Sequence, residues 1–174
     1  MRSKYIATLA SAGVIALVVA GCGSSGSSSS APKASSSGGP TVTAATNSLG
    51  KIVTDGQGRT LYQFAKDTGM KSNCAGTCAS LWPPFTASSK PAAGSGVTAS
   101  AIKLVKRSDG AKQVTLDGHP LYYFSGDKSA GQTNGQGLND FGAKWFTTGP
   151  SGTKVTAAPK SSGGGGGGGG GFSY

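Results

Sequence analysis

The chain has 174 residues, a net charge of +10, 16 Lys/Arg, six aspartates, no glutamate and a single histidine. One histidine rules out a multi-histidine zinc centre, and a glycosidase carboxylate pair would have to come from aspartates that are not suggestively placed. There is no Gly-x-Ser-x-Gly elbow, no Cys-x-x-Cys-His haem attachment, and no glycine-rich loop leading into Lys-Ser/Thr, so the composition points away from an enzyme.

The chain opens on a basic stretch, Met1-Arg2-Ser3-Lys4, followed by an apolar run from Tyr5 to Ala20. At about 16 residues the run is shorter than the roughly 20 that span a bilayer as a helix, and small residues follow it. These are the parts of a secretory signal, residues 1–21. Val19-Ala20-Gly21-Cys22 resembles a bacterial lipobox. That resemblance implies cleavage before Cys22, a diacylglycerol on its sulfur, and attachment to the outer face of the bacterial cell membrane, two acyl chains being enough for stable anchoring. An ordinary cleaved signal or an uncleaved anchor are the alternatives.

Residues 22–40 then read as a tether. From Gly23 to Pro40 no side chain is large and apolar enough to seed a core, and 18 residues of this composition have an r.m.s. span of roughly 20–25 Å. At the other end, residues 159–174 hold nine consecutive glycines before Phe172-Ser173-Tyr174. The expectation there is a flexible end, with an aromatic hook for a partner as the sharper alternative. Without Arg2 and Lys4 the exported chain keeps 14 Lys/Arg against six aspartates, net +8. For an exported protein that charge suggests anionic lipid headgroups or anionic envelope polymers, or another envelope protein, rather than nucleic acid; a basic surface with no dedicated partner is the plainer reading. Lys103, Lys106 and Arg107 form the one cluster in the sequence.

Residues 41–158 are left for the folded domain, enough for a single core. Strands are expected at Thr41–Thr46, Ile102–Lys106, Lys112–Leu116, Trp145–Thr148 and Thr153–Ala157, and a short helix near Cys78–Trp82, stopped by Pro83-Pro84. Segments 88–96 and 128–139 read as long loops. The domain also repeats itself. Leu61-Tyr62-Gln63-Phe64-Ala65-Lys66-Asp67 recurs as Leu121-Tyr122-Tyr123-Phe124-Ser125-Gly126-Asp127, each copy after an Asp-Gly turn and each with a later tryptophan, Trp82 or Trp145. Each copy predicts a β-hairpin, with repeat 1 at about 41–87 and repeat 2 at about 101–152. The fold expected is all-β, the two halves packed as a small sandwich or a partly closed barrel.

In a strand, Tyr62 and Phe64 share one face and Leu61 and Gln63 the other, and likewise Tyr122 and Phe124 against Leu121 and Tyr123. The four aromatics are therefore expected at the heart of the core. Asp67 and Asp127, three residues past the Phe, suit a carboxylate accepting backbone N–H groups at a strand end. A shared Tyr/Asp ligand site is the functional alternative, with Tyr62, Phe64, Asp67, Tyr122, Phe124, Asp127, Trp82 and Trp145 as its candidate residues.

These residues, with Cys74-Ala-Gly-Thr-Cys78-Ala-Ser-Leu-Trp82-Pro83-Pro84, resemble the bacterial lipoproteins that carry a Tyr-x-(Phe/Trp/Tyr)-x-x-Asp motif, also described as a secreted repeat of unknown function. The resemblance spans about residues 41–152 and implies a tandem-repeat lipoprotein without implying a reaction. With Cys22 assigned to lipid, Cys74 and Cys78 remain as a pair in an oxidising compartment, where a local disulfide is expected. No metal or cofactor is expected on that reading. The alternative is a copper-binding or redox site of Cys74, Cys78 and His119, an arrangement similar to that of the Sco copper chaperones. This chain departs from them: Ala79 follows Cys78 where they have Pro, and no βαβ pattern is present.

Overall fold

The computed structural model describes residues 40–158; the expected secretory signal, Cys22, the expected tether as far as residue 39 and the glycine tail lie outside the described residues. Strands β1 (Thr41–Asn47) and β2 (Gly50–Asp55) form an antiparallel hairpin, its turn held by the Asn47 side chain accepting the Leu49 N–H at 2.9 Å. Strand β3 (Tyr62–Phe64) carries the first motif. Among the described residues a single α-helix, α1 (Thr77–Leu81), ends at Trp82, because Pro83 disfavours helical geometry in the residue before it. Strand β4 (Ala92–Ala93) adds to β1 in parallel, and a 3₁₀ turn at Ala99–Ala101 leads into the second repeat.

There, β5 (Ile102–Lys106), β6 (Lys112–Leu116) and β7 (His119–Pro120) make an antiparallel sheet. Asp117 (φ 48°) and Gly118 (φ 81°) both take positive φ between β6 and β7, as a two-residue type I′ turn requires. Strand β8 (Asn139–Asp140) and strand β9 (Ala143–Thr147) complete the fold, β9 lying between β3 and β8. The fold is all-β with one short helix; its three small sheets are joined by isolated bridges and do not close into a barrel.

The second Asp-Gly segment forms the expected hairpin, but the first does so only in part. Leu61 N–H still reaches Val53 O at 3.1 Å, as Leu121 N–H reaches Val114 O at 3.0 Å. Beyond Leu61 the chain leaves β2, and Tyr62–Phe64 pairs with β9 of the other repeat. The strand expected at Thr153–Ala157 is not formed. Only a single bridge forms, Lys154 with Thr148, with Val155 N–H on Thr147 O at 2.9 Å; Val155 O and Ala157 O are then taken at 2.6 and 3.2 Å by the Gln136 side-chain amide. The expected loop 88–96 contains the two-residue strand β4, and the loop 128–139 ends on the first residue of the equally short β8.

Side chains alternate across the motif strands and divide the interior in two. Leu61 and Leu121 join Val42, Val53, Phe85, Ile102, Val114 and Leu116 in an aliphatic cluster. Tyr62, Phe64 and Tyr122 join Cys74, Cys78, Trp82 and Trp145 in an aromatic one, with half-buried Phe124 against it. Both clusters are closed within the described residues, so the domain carries its own core.

Candidate functional site

The motif residues meet around a local two-fold axis. Tyr62 N–H bonds to Tyr122 O at 2.8 Å, and Tyr122 N–H returns to Tyr62 O at 3.0 Å. The flanking bonds obey the same symmetry. Ala65 N–H reaches Lys144 O beside Trp145, and Ser125 N–H reaches Leu81 O beside Trp82, both at 2.9 Å. Each motif strand therefore pairs with the tryptophan segment of the other repeat.

The rings follow. Phe64 stacks on Trp145 with centroids 4.1 Å apart, Trp145 on Trp82 at 3.9 Å, and Phe124 lies tilted on Trp82 at 4.4 Å. Tyr62 meets Trp82, and Tyr122 meets Trp145, edge-on at 5.4 and 5.1 Å. Such offset and edge-to-face contacts add roughly 0.5–1.5 kcal/mol per pair beyond burial. Both indole N–H groups turn toward Asp140, Trp82 to its carboxylate at 3.4 Å and Trp145 to its backbone carbonyl at 3.3 Å. Gly135 has to be glycine for space: a Cβ there would lie 2.6 Å from the Trp82 ring, and its N–H donates to the Tyr62 hydroxyl at 3.3 Å.

The hydroxyls cross between repeats as well. Tyr62 donates to the Asp127 carboxylate at 2.6 Å, and Tyr122 donates to Asp67 at 2.7 Å. Each aspartate uses its other oxygen to close its own loop, Asp67 on the Asn73 N–H at 2.7 Å and Asp127 on the Asn134 N–H at 2.9 Å. The asparagine amides then bond back to Lys66 O and Gly126 O. Burial pushes both tyrosines well above the usual phenol range, and the carboxylate beside each adds to the shift. Burial also raises Asp67 and Asp127; the hydrogen bonds they accept act against it, and for Asp67 the charges of Arg107 and His119 do too. These tyrosines are hydrogen-bond donors held in place, poorly suited to act as bases, and each carboxylate already accepts on both oxygens.

The network extends through the first repeat. The Ser72 and Tyr122 hydroxyls lie 2.7 Å apart, and Arg107 donates to Ser72 Oγ, Gln113 Oε1 and Cys74 O, each at 2.7 Å, and to Asp109 at 3.0 Å. Arg107 is thereby buried, which removes it from the basic cluster seen in the sequence. Cys74 and Cys78 form a disulfide across the loop before Trp82, with Cα atoms 5.3 Å apart. Bonded sulfurs offer no thiolate to a metal. His119 stands half-buried on β7, and among the described residues no three His, Cys or Asp side chains converge as a metal site. An open concavity beside β6 is lined by Thr86, Ala87, Ser88 and Lys112, none of them a motif residue.

A family model described as a secreted repeat of unknown function matches this chain twice, over residues 43–86 and 103–148, together just over half of it. The chain belongs to that family. Each match holds one motif and one tryptophan, so the two-fold axis relates the two family repeats to each other. No curated protein and no solved structure matches the chain. Sequence reasoning collected the motif residues, the tryptophans and the disulfide but missed Ser72, Arg107, Asn73 and Asn134. The asparagines left a signal, following the motif aspartates by six and seven positions. A second missed group joins Asp55, Arg59 and Tyr123. The Arg59 guanidinium sits 4.0 Å over the Tyr123 ring and bonds Asp55 at 2.8 Å, and Tyr123 donates to Asp55 at 3.0 Å.

Proposed function

We propose that the chain is an exported lipoprotein, lipidated on Cys22 and held by residues 22–40 at the outer face of the cell membrane, where it serves as a non-catalytic binding or structural module of the envelope. Its family is described as secreted, which agrees with the signal-like residues 1–21. The observation that carries the non-catalytic part is the exchange of Tyr–Asp bonds between repeats. The side chains best suited to form a reactive or ligand site are engaged with each other, and they hold the two halves together. The disulfide weighs against the copper reading for the same kind of reason, since both sulfurs are committed.

The test is the mass of the mature chain extracted from membranes. A diacylglyceryl adduct on a chain beginning at Cys22, with Cys22→Ser no longer processed to that form, is expected. A mature chain that begins elsewhere, or carries no lipid, overturns the anchoring.

A further inference from the structure

The described residues include ten lysines, and neither ion pair among them uses one: Arg59 takes Asp55, and Arg107 takes Asp109. Asp67 and Asp127 are engaged by tyrosines, and Asp140 by Trp82. The positive charge of the domain is therefore carried by lysines whose charge no carboxylate offsets at close range.

Three of these lysines lie on neighbouring segments. Lys106 and Lys112 are direct cross-strand partners on β5 and β6, so both side chains leave the same side of the hairpin. Like charges placed opposite each other cost stability. The carboxylate in the connecting turn, Asp109, bonds Arg107 and makes no ion pair with either lysine. Lys112 borders the open concavity with Thr86, Ala87 and Ser88; its carbonyl accepts the Ala87 N–H at 3.0 Å, and its ammonium reaches Ser88 O at 3.5 Å. From Ser88 the chain runs through exposed Lys90 to Ala92, whose N–H bonds Pro40 O at 3.0 Å. Pro40 is where the N-terminal segment joins the described fold. The five steps from Ala87 to Ala92 span at most roughly 18 Å. Lys90, the Lys106–Lys112 pair and Pro40 are thus strung along one stretch of chain, with Lys112 on Ser88 and Pro40 on Ala92.

We infer that Lys90, Lys106 and Lys112 seat the domain on the phosphate headgroups of an anionic bilayer. The inference rests on the lipid-anchored reading, since a Cys22 lipid would keep the stretch next to Pro40 near the membrane surface. A soluble polymer could be bound by lysines anywhere on the domain. A gathering of unrelieved charge beside the tether junction serves a surface that the tether itself brings close. Basic residues near an anionic leaflet act together and fall off within a Debye length, so their position matters as much as their number.

The test uses residues 23–174, which keep every described residue and lack Cys22, in co-sedimentation with vesicles of phosphatidylcholine alone or mixed with phosphatidylglycerol, at low and high salt. The parent chain is expected to bind the mixed vesicles in a salt-sensitive manner. K90Q/K106Q/K112Q is expected to weaken that binding by roughly a hundredfold. K51Q/K71Q/K144Q removes the same charge elsewhere and is expected to leave affinity close to the parent's. Equal loss in both triples, or no binding of the parent to anionic vesicles, overturns the inference. So does retention of soluble poly(glycerol phosphate) through the same three lysines without vesicle binding, which would make a wall polymer the occupant. Because this chain carries no Cys22, failure of lipidation in the natural protein shows separately, in its mass, and leaves the vesicle result intact.

Discussion

Tyr62 and Tyr122 exchange a pair of backbone hydrogen bonds, at 2.8 and 3.0 Å, while their hydroxyls cross to Asp127 and Asp67. A Tyr-x-Phe-x-x-Asp motif thus reads as two halves of a clasp. The Tyr of one copy needs the Asp of the other, and one repeat alone would leave a buried phenol and a half-satisfied carboxylate. That explains why the unit occurs twice in one chain, and it ties the motif to stability before any ligand is considered.

The crossing can be tested by coupling energies. Tyr62→Phe or Asp127→Asn should each cost about 1–3 kcal/mol, because a partly buried group loses its partner. In a double-mutant cycle the Tyr62–Asp127 pair should show strong coupling, while Tyr62 with Asp67, in the same motif copy, should be nearly additive. Urea unfolding of the four chains in each cycle checks this. Coupling within a motif copy instead of across copies would sink the clasp.

The pH dependence follows from the raised values. A group whose folded pKa lies above its unfolded value contributes stability below the unfolded value and loses it as pH rises through the folded one. For Asp67 and Asp127, raised by burial, stability should increase as pH falls from neutrality toward the ordinary Asp value of about 4. Exposed Asp109, lowered by its bonds to the Ala111 N–H and Arg107, acts in the opposite sense at lower pH. At the alkaline end Tyr62, Tyr122 and Tyr123 are all raised by burial, so stability should drop once pH exceeds the usual phenol value of about 10. Absorbance titration at the phenolate band should show these three resisting ionisation until the fold opens, and Tyr62→Phe should soften the alkaline loss.

Much of this fold could be read from alternation and turn residues. Asp117-Gly118 announced its hairpin, and the period of two placed Leu61 and Tyr62 on opposite faces, where they are found. What stayed hidden depends on which distant segments meet. Nothing local in Tyr62–Phe64 says that it pairs with Ala143–Thr147 rather than with β2. Arg107 looked like part of a basic surface because its neighbours are lysines, and only the fold brings Ser72, Gln113 and the Cys74 carbonyl to its guanidinium. Val155 N–H still bonds Thr147 O of β9, but the pairing goes no further, because a glutamine side chain nineteen positions away takes the Val155 carbonyl.

Arg107 therefore supports a prediction that a surface residue would not. Its planar fork serves both repeats at once, with one nitrogen on Ser72 and Gln113, another on Cys74 O, and the third on Asp109. Arg107→Ala should destabilise by about 3 kcal/mol, several charge-assisted bonds being lost together and their acceptors left buried. Arg107→Lys should recover only part of that, because an ammonium cannot reproduce the fork. Thermal unfolding of the two variants beside Lys103→Ala, which should change little, separates a buried tie from a surface charge.

The disulfide gives the last prediction. Cys74 and Cys78 are 1% and 5% exposed and lie within the aromatic cluster. Residues 23–174, which lack Cys22, should therefore take up no alkylating agent by intact mass without reductant, and after denaturation they should still take up none until they are reduced. Cys74→Ala/Cys78→Ala should lose about 2 kcal/mol through the freed loop in the unfolded chain. A further loss is expected from the space left in the aromatic cluster. The unfolded ensemble of the variant is also less constrained, so the urea dependence of its unfolding should steepen slightly. Uptake of two alkyl groups by the unreduced chain would mean free thiols and return Cys74, Cys78 and His119 to consideration as a Cu(I) site.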